Sequence, residues 1–236
     1  MRLVLFSLCL IFLFTGCTVQ QIQQTLGDYM ESEELTTDQV IAGLKEALVK
    51  GAESSTADAS RVNGFLGNPK IKIPFPPEVQ RVEDKLREIG LGNQVDRFVE
   101  TLNHGAEEAA KEAKPIFVSA IKGMTVQDAW GILKGQDNAA TQYLQDKTSA
   151  QLKNKFQPVI KKALDQTSAT KYYSDLVNTY NKIPFVDKVN PNLDEYATER
   201  ALAGLFTLVA DEEKKIRDNP AARTTELLKK VFAKQD

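Results

Sequence analysis

The sequence predicts an all-α fold, and three observations carry the prediction. Apolar residues recur three and four positions apart in one window after another, the spacing of one helix face. Those windows open on a capping residue or a proline, and several close on glycine. No stretch sustains the alternation of a half-buried strand. The expected architecture is a single irregular bundle over residues 37–236, with roughly nine or ten helices of ordinary length, an extended proline-rich arm and no substantial sheet.

The first helix opens at a capping box, Thr36 with Gln39, ahead of Ile41, Leu44 and Leu48. From Gly64 to Pro77 the chain reads Gly-Phe-Leu-Gly-Asn-Pro and then sets Ile71, Ile73 and Phe75 among basic residues and prolines, which forces an extended path. Pro77 suits a first helical position and leads into Val79, Val82, Leu86 and Ile89, stopped by Gly90 and Gly92. Asn93 with Asp96 starts a helix showing Val95, Phe98, Val99 and Leu102. Its continuation, Ala106, Ala109, Ala110 and Ala113, offers a small-residue face for a close neighbour. Pro115 opens Ile116, Phe117, Ala120 and Ile121. Thr125 with Asp128 makes a capping box ahead of Val126, Ala129, Trp130 and Leu133, and Gly135 closes that helix. Asp137 is the expected cap of the next one, through Ala140, Tyr143 and Leu144. The series Leu152, Phe156, Val159, Ile160 and Leu164 contains Pro158, so a kink or a fresh start is expected there. Thr170 opens Tyr173, Leu176, Val177 and Tyr180. Asn192 with Glu195 caps a helix showing Leu202, Leu205, Phe206 and Val209, and Asn219-Pro220 starts the last, with Leu227, Leu228, Val231 and Phe232.

Two internal echoes bear on the fold. Pro115, Ile116, Phe117, Ala120 and Ile121 are followed by a similar block at Pro158, Val159, Ile160, Ala163 and Leu164, a spacing that suits a helix-pair repeat. Any two proline-started amphipathic helices look alike, so a single bundle is the expectation. Lys72-Ile73-Pro74-Phe75 recurs as Lys182-Ile183-Pro184-Phe185, but the flanking Ala-Gly-Leu runs fall in opposite order and argue against a duplication.

Ahead of the bundle, Arg2 precedes an apolar run from Leu3 to Phe14, and Thr15-Gly16-Cys17 closes it. That run is too short to span a bilayer, and its layout is that of a secretory signal. The segment Phe14-Thr15-Gly16-Cys17 resembles the bacterial lipobox, with Phe14 where leucine is usual. Residues 1–16 are then a cleaved signal peptide, Cys17 carries the lipid, and residues 17–36 form a polar, Gln- and Glu-rich tether. Two or three acyl chains anchor far more firmly than one. Thr18 after the cysteine suits an outer-membrane destination, so the expected location is the bacterial cell envelope, facing the periplasm. Cleavage removes Cys9 and acylation occupies Cys17, which leaves the exported body neither disulfide nor thiol nucleophile. Without Arg2, 29 basic residues face 32 acidic ones, a balance that attracts no nucleic acid.

The candidate chemistry is sparse. His104 is the only histidine, which excludes a multi-histidine metal site; neither a metal nor another cofactor is expected. Glu195 and Glu199 lie four apart on one expected helix face, with Asp211, Glu212 and Glu213 at its end; a carboxylate pair can cleave a glycosidic bond, although a solvated helix face is the plainer reading. Five large apolar residues of the arm, Phe65, Leu66, Ile71, Ile73 and Phe75, need a home. Either they lie across the helices and cover the core, or they offer a surface to a partner or an acyl chain.

The blocks Gly64-Phe65-Leu66-Gly67-Asn68-Pro69, Ala113-Lys114-Pro115-Ile116-Phe117, Met124-Thr125 with Asp128-Ala129, Asn138-Ala139-Ala140-Thr141 with Tyr143-Leu144, and Asn219-Pro220-Ala221-Ala222-Arg223-Thr224-Thr225 span nearly the whole body. In them the chain resembles the bacterial domain-of-unknown-function family forty-one ninety-seven. The resemblance implies a helical envelope domain, often behind a lipoprotein signal, with no established activity and no catalytic residues to carry over. The expected function is a non-catalytic, lipid-anchored binding or adaptor module for another envelope protein. Two alternatives stand beside it. One is a lipid or hydrophobic-ligand binder, suggested by Phe65, Phe75, Phe117, Trp130, Tyr172 and Tyr173; the other is a cell-wall hydrolase using Glu195 or Glu199.

The lipobox reading makes a direct prediction. Cys17→Ala moves the protein from the membrane to the soluble fraction on cell fractionation; retention in the membrane contradicts the anchor.

Overall fold

A computed structural model describes residues 36–88, 90–166, 173–175, 177–178, 181–182, 184–185, 188–190 and 192–219, without the side chains of residues 82 and 85. The expected signal, Cys17 and tether, the cap at Thr170, Tyr172, and the helix after Pro220 lie outside these residues. Residues 37–236 form one compact unit.

The fold is all-α, without a strand among the described residues. Seven α-helices are described: α1 (Thr37–Ser60), α2 (Gln80–Glu88), α3 (Gly92–Ala110), α4 (Ala113–Lys122), α5 (Val126–Leu133), α6 (Ala139–Asp165) and α7 (Leu193–Asp218). A single 3-10 turn, Pro77–Val79, precedes α2. The count among the described residues falls below the nine or ten expected: two of the expected helices, at Thr170 and after Pro220, lie largely outside those residues, and Pro158 starts no new helix. α6 runs unbroken through it for 27 residues. Pro158 and Asn154, whose carbonyl loses its amide partner, are both exposed, so water can serve that carbonyl. The apparent repeat at Pro115 and Pro158 is therefore one helix start and one helix interior.

α6 organises the bundle. Leu144, Thr148, Leu152, Phe156, Ile160 and Leu164 are all buried at strict four-residue spacing. At about 100° per residue such a stripe drifts by about 40° at each step, so it winds around the helix instead of keeping to one side. α6 thereby packs on α3, α4, α5 and α7, with its broadest faces against α3 and α7. α7 also packs along α1, while α4 and α5 close against α1. The expected small-residue face is used where α3 meets α6: Ala106, Ala109 and Ala110 are fully buried, and a β-carbon on Gly105 would stand 3.3 Å from the Ala163 β-carbon. Buried hydroxyls bond within their own helices, Ser55 to the Gly51 carbonyl and Thr148 to the Leu144 carbonyl.

Helix ends show where local signals decide and where tertiary contacts do. The Thr125–Asp128 capping box forms: the Asp128 amide donates to Thr125 Oγ1 at 3.1 Å and the Thr125 amide to Asp128 Oδ2 at 2.9 Å. Those bonds hold the Asp128 carboxyl below the usual range. Gly90 closes α2 at φ +86°, in the left-handed region that glycine enters freely. Gly92, expected as a stop, is instead the first residue of α3, whose N-cap is Leu91 and not Asn93. Asp137 does not cap α6, and the N-cap residue Asn138 makes no side-chain bond. The cap comes from α7: Glu213 accepts from the Ala140 amide at 2.9 Å, the Thr141 amide at 2.8 Å and the Thr141 hydroxyl at 2.8 Å. Arg217 donates to the same carboxylate and to the Ile132 carbonyl at 3.0 Å. A carboxylate at a helix N-terminus also faces the favourable end of the dipole. Asn192 is the N-cap of α7, as expected, but its side chain makes no capping bond.

Residues 61–76, the arm, lie over α3 and α7. A β-carbon on Gly204 of α7 would come within 2.8 Å of the Phe65 ring and 3.0 Å of the Ile71 β-carbon. Gly204→Ala forces the arm outward and is expected to cost about 1–3 kcal/mol, read as a lowered melting temperature with the helical circular dichroism retained.

Candidate functional site

The arm begins where α1 ends. A β-carbon on Gly64 would sit 2.3 Å from the Asp58 carbonyl, so only glycine allows the chain to fold back against the helix end. Asn63 beside it takes the left-handed conformation, at φ +59°. The fold-back aims the amides of Asn63, Phe65 and Leu66 at one carboxylate, that of Glu107 on α3, at 3.3, 3.1 and 3.2 Å. One turn earlier, Asn103 Oδ1 accepts from the Ile73 amide and Asn103 Nδ2 donates to the Ile73 carbonyl, both at 2.8 Å. The Tyr196 hydroxyl donates to the Pro74 carbonyl at 3.2 Å. Asn103 is fully buried and Glu107 nearly so, which makes each bond expensive to leave unmade.

With its backbone fastened, the arm turns its apolar residues inward. Phe65, Ile71, Ile73 and Phe75 are buried, and Leu66 is half-buried. Phe75 meets Phe98 with ring centroids 5.1 Å apart. Of the two readings open for these five residues, Phe65, Ile71, Ile73 and Phe75 follow the first and cover the core, as their apolar area favours. The aromatic supply counted toward a hydrophobic-ligand site is in part committed the same way, with Phe117 against Phe206 edge to face.

His104 stands on α3 between these two anchors, partly exposed. Its Nδ1 lies 2.8 Å from Glu107 Oε2 and its Nε2 3.5 Å from Glu100 Oε1. The bond to Glu107, with lesser help from Glu100, raises the imidazole above its ordinary value. His104 thus belongs to the arm's fastening.

The carboxylates proposed for hydrolysis sit on α7 against Lys153 of α6, whose Nζ lies 3.2 Å from Glu195 Oε1 and 3.3 Å from Glu199 Oε1. The Asn190 amide donates to Glu195 as well, at 2.9 Å, and these bonds hold the Glu195 carboxyl below its usual range. A general acid for glycoside cleavage needs the opposite shift. Tyr173 and Tyr196 are phenols pushed up to about 12, mainly by burial and secondarily, for Tyr173, by Glu78. The Tyr173 hydroxyl donates to the Asn190 carbonyl at 3.3 Å.

One open recess has a different character. A cleft of about 440 Å³ lies between the second half of α1, Lys70 of the arm and the end of α7. Asp58, Asp211, Glu212 and Asp218 line it together with Lys70, Lys214 and Lys215. Lys70 reaches Asp211 at 2.7 Å and Lys214 reaches Asp218 at 2.7 Å. These pairs are solvent-exposed and cheap to open. No group of metal-ligating side chains occurs among the described residues.

A family model described as a protein of unknown function, DUF4197, matches residues 34–233. The chain belongs to the DUF4197 family. No curated protein and no solved structure matches it. The match takes in the arm and the cleft.

Sequence reasoning missed Asn103, Glu107 and Glu213 in the DUF4197 fold. A signal was present for each: Asn103 and Glu107 fall four apart beside the buried Leu102 and Ala106, and Glu213 follows Val209 in the buried register of α7. A polar residue at a core position is the mark of a buried acceptor with fixed donors.

The His104 contact carries a pH prediction. Its folded-state value is raised above 6.5, so its contribution to stability is fully present below that pH and is lost as pH rises through the folded value. Urea unfolding from pH 5 to pH 9 should show stability falling across that window in the wild type, and His104→Gln should remove that part of the slope.

Proposed function

We propose that this DUF4197 protein is a non-catalytic module, held in the cell envelope by a lipid on Cys17, that binds another envelope protein. The observation that carries the reading is the charged cleft of α1, the arm and α7. Two of its lysines are already in exchangeable pairs, Lys70 of the arm with Asp211 of α7 and Lys214 with Asp218 along α7, while α1 adds Asp58 to the wall. A partner's charged groups can replace them at little cost, and complementary charge then sets register and partner choice. The acid–base groups that chemistry would need serve elsewhere: His104 and Glu107 fasten the arm, Glu213 caps α6, and Lys153 bridges Glu195 and Glu199.

A photo-reactive amino acid at position 70 or 215 in living cells is expected to capture one recurrent protein. Replacing Asp211 and Asp218 by lysine should abolish that capture while the melting temperature stays close to wild type. Capture that is absent at both positions, or indifferent to the reversed charges, contradicts the reading.

A further inference from the structure

The tetrapeptide Lys-Ile-Pro-Phe occurs twice; its lysine and proline are exposed in both copies, and the two part at the phenylalanine. In the arm, Ile73 and Phe75 are buried. In the second copy, Lys182, Pro184 and Phe185 are all exposed. Phe185 is exposed in full, at 107%, and its backbone stands at φ +65°, a conformation that bulky residues rarely adopt. The other large exposed apolar residues described, Val62 and Val126, are aliphatic. The surrounding sequence is Lys182-Ile183-Pro184-Phe185-Val186-Asp187-Lys188, in which exposed Lys182 and Lys188 stand on either side of the apolar run and Asp187 offsets one of the two charges, leaving the segment net positive.

We propose that Phe185 inserts into the headgroup boundary of a phospholipid bilayer, with Lys182 and Lys188 meeting anionic lipid. Pro184 narrows the backbone, and the left-handed turn at Phe185 presents the ring in full. A protruding aromatic ring belongs at the membrane interface, where its apolar body leaves water. Lysines on either side add attraction to the negative surface potential of such a leaflet. One ring and two lysines give weak binding alone. The inference therefore rests on the lipid-anchored reading for its strength in the cell, where the tether supplies a high effective concentration. With Cys17 it gives the body a second point of attachment and hence a preferred orientation.

The test separates insertion from anchoring. The chain from Thr18 onward, carrying a histidine tag in place of the signal and Cys17, is held on vesicles by a chelator lipid, so that membrane proximity no longer depends on acylation. With Phe185→Trp in a Trp130→Phe background, emission should move to the blue and be quenched by lipids brominated along the acyl chain. Both effects should be larger on vesicles containing phosphatidylglycerol than on phosphatidylcholine alone. In a second measurement, Phe185→Asp in the otherwise unchanged untagged chain should lower flotation with anionic vesicles by roughly tenfold or more, the factor expected for one aromatic side chain. Three results overturn the proposal: emission that stays water-like on both vesicles, flotation indifferent to Phe185→Asp, or burial of the ring only after envelope protein is added. Failure of Cys17→Ala to release the protein from cells would bear on the anchor alone.

Discussion

A buried carboxylate must find donors, and Glu107 finds them in the backbone of the arm. Three amides and the His104 ring converge on it, while Asn103, one turn away, takes both the amide and the carbonyl of Ile73. Side chains of an extended segment can slide along an apolar surface, whereas its amides cannot slide past fixed acceptors. The two polar residues of α3 therefore set the register of the arm. That register places Phe65 and Ile71 over Gly204 and Phe75 on Phe98. It also carries Lys70 to the edge of α7, where it pairs with Asp211 and forms one wall of the cleft.

Glu213 repeats the device where α7 meets the start of α6. Its carboxylate fastens the start of α6 to α7, and Arg217 balances the charge while reaching the last turn of α5. Isolated buried charges are costly, but those that accept several hydrogen bonds in fixed geometry specify one arrangement over others. In a body whose helices meet through small residues and a winding stripe, these two clasps decide how the pieces align. The consequence for function is that the acidic groups of the interior are structural, and exchangeable charge lies on the surface.

How much of this was legible in the sequence depends on the range of the cause. Helix identity follows from periodicity within one segment, so α1 through α7 were readable from Leu44, Leu86, Leu102, Phe117, Leu133, Leu152 and Leu205 and their neighbours. The Thr125–Asp128 cap was readable for the same reason, since donor and acceptor lie three residues apart. The cap of α6 was not, because its acceptor lies more than seventy residues away. The arm's departure from helix could be read from its glycines and prolines, although it runs as successive turns through Ile71 and not as one extended path; its fastening was marked only by polar Asn103 and Glu107 at core positions, with nothing local to show which amides they meet. Pro158 marks no fresh start because proline's penalty depends on whether the freed carbonyl can reach water, and Asn154, which carries it, is exposed.

Native-state hydrogen exchange at the Phe65 and Leu66 amides tests the central claim most directly. If Glu107 sets the arm, both amides should exchange through global unfolding, with protection equal to that of the α6 core. In Glu107→Gln both should shift to a faster, local opening while the core keeps its protection. Rapid local exchange at these two amides in the wild type, unchanged by Glu107→Gln, would contradict the account.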